Sequence, residues 1–176
     1  MKLELKKVKI NLTFSEETIM FRADVYIDGE HIGEAENEGR GGCTWVTHLG
    51  TERSKQLLQK AFEHFKTLPP HKFKDGGGRE YEIDSSLDGA IDDIISKMVE
   101  EKERKSLEKK MAKSMEKGLV YSKGIPGSYV TITWGKLTMA QMLARPDGFI
   151  KVREAIEEVE KKGYKVLNTN IPQLVS

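Results

Sequence analysis

The stretch IMFRADVYIDGEHI, residues 19–32, decides the reading of the fold. Ile19, Phe21, Ala23, Val25 and Ile27 alternate with Met20, Arg22, Asp24, Tyr26 and Asp28, a period of two that marks a strand with one buried face. Asp28-Gly29 is the pair preferred in two-residue hairpin turns, where both central positions need positive φ. Such a turn returns the chain antiparallel and sets Ile32 opposite Val25. Residues 31–36 are polar and acidic, which suits an edge strand.

Upstream, Val8, Ile10, Leu12 and Phe14 alternate with Lys7, Lys9, Asn11 and Thr13, predicting a strand to residue 14. Leu3 and Leu5 are out of step with it, so a bulge is expected near Lys6. Residues 15–18, SEET, make a polar turn. Downstream, residues 37–46 read NEGRGGCTWV: Gly39, Gly41 and Gly42 surround Arg40, and residues 43–49 form a fourth strand. Thr51 caps a helix through Lys66, whose Leu57, Leu58, Ala61, Phe62 and Phe65 fall on one stripe. Pro69-Pro70 ends it. Residues 1–68 are thus an antiparallel sheet with one covering helix.

Residues 69–80, PPHKFKDGGGRE, combine two prolines with three glycines and predict a linker or long loop. Tyr81 and Ile83 open a short strand. Ser85 with Asp88 resembles a capping box at the start of a long helix. Its apolar face runs Leu87, Ile91, Ile94, Ile95, Met98, Val99, then resumes at Leu107, Met111 and Met115 half a turn out of phase, at about 100° per residue. Either the helix breaks at 101–105 or its second half docks elsewhere, on a carboxy-terminal hairpin or on a second chain as a homodimer contact. Gly118 suits a helix C-cap. Residues 119–123 and 129–134 predict a hairpin. Thr138 with Gln141 caps a helix closed by Pro146, Asp147 opens another that ends at Gly163, and residues 164–167 form a last strand. The fold class expected is α+β, with residues 81–176 a helix-rich α+β part that is either a separate domain or packed into one body.

The 176 residues carry a formal net charge of +1, so no strongly basic nucleic-acid footprint is present overall. The single cysteine, Cys43, excludes an intramolecular disulfide. No apolar run approaches the roughly 20 residues of a membrane span. The opening MKLELKKVKI alternates charged and apolar residues, unlike a signal peptide, so a soluble cytoplasmic protein without membrane contact is expected.

Asn37, Gly39, Arg40, Gly41, Gly42, Trp45 and Arg79 are the candidate binding residues. Glycines can turn backbone N–H groups to one side to hold an anion, and an arginine adds a charged donor fork. The alternative is a bulged turn with Arg40 in water. The loop lacks the Gly-Lys-Ser/Thr of phosphate loops and the glycine spacing of dinucleotide sites. No catalytic set emerges. Cys43 with His48 or His31 is the one nucleophile pair to name, and Cys43 as a small packed hydrophobe is the simpler reading. His31, His48, His64 and His71 have no metal-ligand spacing, and neither metal nor cofactor is expected. Lys7, Lys9, Arg22, Tyr26, Arg40 and Trp45 would offer cations and rings to nucleic acid if they shared one sheet face. The basic residues of 102–113 are interleaved with acids, as on a solvated helix.

The opening pattern, strand-SEET-strand-DG-strand-NEGRGGCT, resembles the amino-terminal part of small uncharacterised proteins of bacteriophages and mobile elements, over the first quarter of the chain. It carries no catalytic motif. The resemblance implies a viral host-interaction role, such as an inhibitor of a defence system. The expected function is a non-enzymatic binding protein that recognises a protein partner or an anionic ligand through its Gly/Arg loops. The alternatives are an enzyme acting on a nucleotide-like or phosphorylated ligand, and a nucleic-acid binder using the sheet face.

Overall fold

Four strands pair antiparallel in chain order: β1 (Leu3–Ile10), β2 (Phe21–Ile27), β3 (Glu30–Asn37) and β4 (Trp45–His48). The computed structural model of the chain describes residues 1–172. The fold is α+β, in two units that divide between Glu100 and Glu101.

In the first unit Asp28 (φ 49°) and Gly29 (φ 85°) turn β2 into β3 as their residue types require. The register differs from the expected one. Tyr26 pairs with His31 and Val25 with Gly33, so Ile32 is the extra residue of a bulge rather than the partner of Val25. It is still fully buried. Gly33 has no room for a side chain, since a Cβ would stand 1.9 Å from the Thr47 carbonyl oxygen. Nor is β3 an edge: it lies between β2 and β4. Its acids Glu34 and Glu36 line the outer face, while Ala35 and Asn37 are buried. The β1 register shifts between Lys6 and Lys9, with Lys7 at φ 48°. That strand stops at Ile10 because Asn11 accepts the Thr13 N–H at 3.1 Å and starts a 3-10 turn, Leu12–Phe14. Phe14 is left 63% exposed.

Helix α1 (Glu52–Lys66) begins where the Thr51 hydroxyl accepts the Ser54 N–H at 3.1 Å. Leu58, Ala61 and Phe65 close over Val25, Ile27, Ile32 and Ala35 of the sheet. Each large apolar side chain so buried stabilises by about 1.5–3 kcal/mol.

Residues 69–80 are not an irregular linker. They contribute to a hairpin of β5 (His71–Lys74) and β6 (Glu80–Ile83) within the first unit. The Asp75 carboxylate organises the tip by accepting the Gly77 and Arg79 N–H groups, both at 2.9 Å. The Phe73 and Tyr81 rings stack at 5.3 Å, and Lys74 meets Glu80 at 2.9 Å. Local side-chain bonds thus overrode the glycine and proline content.

Helix α2 (Leu87–Lys117) is continuous over 31 residues, without the break at 101–105. Its cap is Ser86, which accepts the Gly89 N–H at 3.1 Å. Ser85 instead donates to the Pro69 carbonyl at 2.6 Å. Leu87, Ile91 and Ile95 complete the first core. Arg104 bridges Glu101 and Glu108, which keeps the charged middle helical. The boundary between units falls inside this helix.

The second unit has strands β7 (Gly118–Ser122), β8 (Val130–Thr133) and β9 (Lys165–Val166) in the order β8-β7-β9, with α3 (Met139–Leu143) and α4 (Gly148–Lys161). Gly118 directly follows the last residue of α2, where the helix was expected to stop, but without the positive φ of a left-handed capping glycine. It begins β7, where a Cβ would meet the Ile132 carbonyl oxygen at 2.0 Å. Thr138 and Gln141 form the expected capping box. Leu119, Met139, Met142, Val152, Val159 and Ile171 make this core. Leu107 and Met111 line a groove of about 250 Å³ with the loop that includes Ile125, Pro126 and Tyr129. The out-of-phase half of α2 therefore docks on the β7–β8 hairpin. The last four residues of the part expected at 81–176 lie outside those described.

Candidate functional site

At the end of β3 the chain enters the Gly-rich loop, and Asn37 organises it. Asn37 is 4% exposed and uses its whole amide. Its Oδ1 accepts the Thr18 hydroxyl at 2.8 Å and the Gly39 N–H at 2.9 Å. Its Nδ2 donates to the Gly42 carbonyl at 3.0 Å and to Thr44 Oγ1 at 3.2 Å. Thr44 in turn donates to Asp92 Oδ1 on α2 at 2.5 Å. The Gly39 carbonyl accepts the N–H groups of Glu16 and Glu17 at 2.8 and 3.2 Å. The loop is thereby fixed to the SEET turn on one side and to α2 on the other.

Two glycines are obligatory by conformation. Gly39 (φ 82°) and Gly41 (φ 83°) lie in the left-handed region, and a Cβ on Gly39 would be 2.6 Å from the Phe14 carbonyl oxygen. The Gly41 N–H donates to Thr18 Oγ1 at 3.3 Å. Two of the N–H groups expected to cradle an anion are thus spent on the loop's own structure. Gly42 has ordinary φ and open space around it.

What the loop presents is side chain. Arg40 is exposed and, among the described residues, has no ion-pair partner. Trp45 is 65% exposed at the start of β4. Phe14 ends the 3-10 turn against which Gly39 packs. The ends of β1 and β3 and the starts of β2 and β4 meet at one end of the sheet, and all three residues lie in or beside those termini. Arg79 does not join them. It sits at the tip of the β5–β6 hairpin, held through its backbone to Asp75.

Two cavities flank the loop. One, of about 420 Å³, is lined by Glu16, Glu17, Thr18, Asn37 and Asp92 over Ile19 and Ile95. Burial pushes the Asp92 carboxyl above its ordinary value, the Thr44 hydrogen bond partly offsets this, and Asp88 and Asp93 push it further up. The other, of about 540 Å³, is lined by Lys9, Arg22, Glu36 and Glu38 around Met20. Neither cavity includes Arg40 or Arg79.

On the outer sheet face Lys9, Arg22, Glu36 and Trp45 form one cross-strand row. The cations of this face are compensated in part, since Lys9 has no ion pair among the described residues. Arg22 pairs with Glu34, and Lys7 with Asp24 at 2.9 Å. Tyr26 is covered by its own neighbours, with Lys6 Nζ 3.9 Å above its ring and His31 stacked at 4.8 Å. Arg40 lies in the loop, outside that row. Cys43 is exposed rather than packed. Among the described residues no group of three His, Cys, Asp or Glu side chains is arranged to hold a metal ion, and no helix is long and apolar enough to cross a membrane.

Reading the sequence located the loop but missed Thr18, Thr44, Asp92 and Phe14. The one local clue was Asn37 two residues before Gly39, the spacing of an Asx turn. No family model, no curated protein and no solved structure matches this chain.

Proposed function

We propose that the chain is a non-enzymatic binding protein that recognises a protein partner through the loop around Arg40. One observation carries the reading: a loop tied down by the Asn37 side chain holds Arg40 in solvent at the same end of the sheet as exposed Trp45 and Phe14. Arginine and tryptophan dominate the energetics of protein interfaces. A loop ordered before binding loses little entropy on association. By the resemblance of its amino-terminal quarter to phage and mobile-element proteins, the proposal extends to a component of a host defence system as that partner.

The reading favours a protein over a small anion. Of the two cavities beside the loop, one is lined by Glu16, Glu17 and Asp92 and the other mixes Lys9 and Arg22 with Glu36 and Glu38, so neither is a purely cationic pocket for phosphate, and the Gly39 and Gly41 N–H groups are occupied. For the enzyme alternative, Arg40 and Arg79 would have to converge on one cleft, and neither lines the two cavities beside the loop. For the nucleic-acid alternative, the partly compensated cations of the outer face are the weak point.

The test is affinity capture from a bacterial extract with the full chain, Arg40→Ala and Trp45→Ala. Retention of a protein by the parent and its loss from both variants, with melting temperatures nearly unchanged, is the expected result. Retention indifferent to both changes would sink the reading. Saturable binding of phosphate, nucleotides or single-stranded DNA that disappears in Arg40→Ala would replace it with an alternative.

A further inference from the structure

The two edges of the first sheet are built differently. β1 carries Lys6, Lys7 and Lys9 and a register shift, with Lys7 at positive φ. Charge and bulges are the devices that keep an edge strand from pairing with another chain. β4 has none of them: its residues are Trp45, Val46, Thr47 and His48, without lysine, proline or bulge. It is the terminal strand of its sheet.

The hydrogen-bonding pattern defines what this edge offers. Leu49 N–H donates to the Ile32 carbonyl at 3.1 Å. Antiparallel pairing alternates, so Thr47 and Trp45, opposite Glu34 and Glu36, turn their backbone groups toward β3. Val46 and His48 turn theirs outward, and among the described residues no strand takes them. Trp45 stands on the outer face beside the open edge, and Arg40 in the loop that leads into it.

We propose that β4 is a docking edge, on which a partner protein lays an extended strand bearing a carboxylate for Arg40. This rests on the reading of the loop as a binding site and names the form its partner takes. Main-chain bonds to Val46 and His48 give affinity, and contacts with Trp45 and Arg40 give specificity. Charge selects the occupant: Arg40 is exposed with no ion-pair partner among the described residues, and a strand that brings it a carboxylate satisfies it.

The probe is a displayed library of short unstructured peptides selected on the full chain. Enriched peptides should alternate apolar and polar residues and carry Asp or Glu toward one end. His48→Pro removes an outward N–H and no bond to β3, together with the ring Nδ1 that accepts the Gly50 N–H at 2.9 Å, so it should weaken these peptides about tenfold while His48→Ala, which loses only the ring bond, should not. An enriched peptide resynthesised with alternate amides N-methylated should lose binding to the parent protein, a result independent of any variant's folding. Absence of enrichment, or binding indifferent to both changes, overturns the docking edge. Binding lost in Arg40→Ala but kept in His48→Pro overturns strand addition while leaving the loop reading intact. Sedimentation as a dimer that His48→Pro dissociates puts a second copy on the edge and also overturns the proposal.

Discussion

Thr44 donates its hydroxyl hydrogen to Asp92 across 48 residues of sequence, at 2.5 Å, and so ties the exit of the Gly-rich loop to α2. Asp92 titrates above its ordinary value because burial and the neighbouring Asp88 and Asp93 disfavour its charge. A raised carboxylate means that the folded state binds protons more tightly than the unfolded one. The stability this gives is fully present below the unfolded aspartate value and is lost as pH rises through the folded value. Asp92→Asn keeps an acceptor for Thr44 and removes the charge. It should raise the melting temperature at neutral pH and flatten that part of the pH dependence. Asp92→Ala strands the Thr44 hydroxyl and should cost about 1–3 kcal/mol. Thermal melts between pH 4 and 8 compare the three proteins.

Gly39 and Gly42 should respond differently to alanine. Gly39→Ala meets both positive φ and the Phe14 carbonyl, and should destabilise by about 1–3 kcal/mol in denaturant titration. Gly42→Ala has ordinary φ and no neighbour within 4 Å, so its midpoint should hold within about 0.5 kcal/mol.

The β5–β6 hairpin is ordered but exposed at every strand position. Two isolated strands are marginally stable. Trypsin should cut there first, at Lys72, Lys74 or Arg79. Asp75→Ala, which removes the acceptor for two N–H groups of the tip, should speed that cleavage several-fold without changing sites elsewhere. A hairpin that resists trypsin while other segments are cut would contradict this.

Met111 lines the groove against the β7–β8 hairpin and should behave as a packing residue. Met111→Lys is expected to cost about 1–3 kcal/mol in unfolding experiments and to leave the sedimentation coefficient unaltered. Dissociation of an oligomer by this change would instead make that face a contact between chains.

Hydrogen bonds from Arg104 and Lys105 hold the Glu101 carboxyl down at about 2. Carboxyl-carbon NMR should find its midpoint there. In Arg104→Gln the midpoint should move up toward the ordinary glutamate value. A lowered carboxylate lends stability above its unfolded value and loses it as pH falls through the folded one, so α2 should fray first at its middle in strong acid.

What the sequence determined by itself was local. Alternation made β2 a strand, Asp28-Gly29 turned it, Thr51 opened α1, and the Thr138–Gln141 pair opened α3, because each signal acts within one turn or one pleat. The Lys6 bulge was legible for the same reason, as a slip in period. Tertiary structure decided the rest. The place of β3 between two strands came from β4, which its own acids did not foretell. Gly118 joined a strand because the Ile132 carbonyl lies where its side chain would be. The glycines of 76–78 closed a hairpin because Asp75 found two N–H groups and Phe73 found Tyr81. The loop's glycines were visible in the sequence. The bonds that fix it run from Asn37 to Thr18 and from Thr44 to Asp92, between segments far apart in the chain, and only packing brings such groups within hydrogen-bond distance.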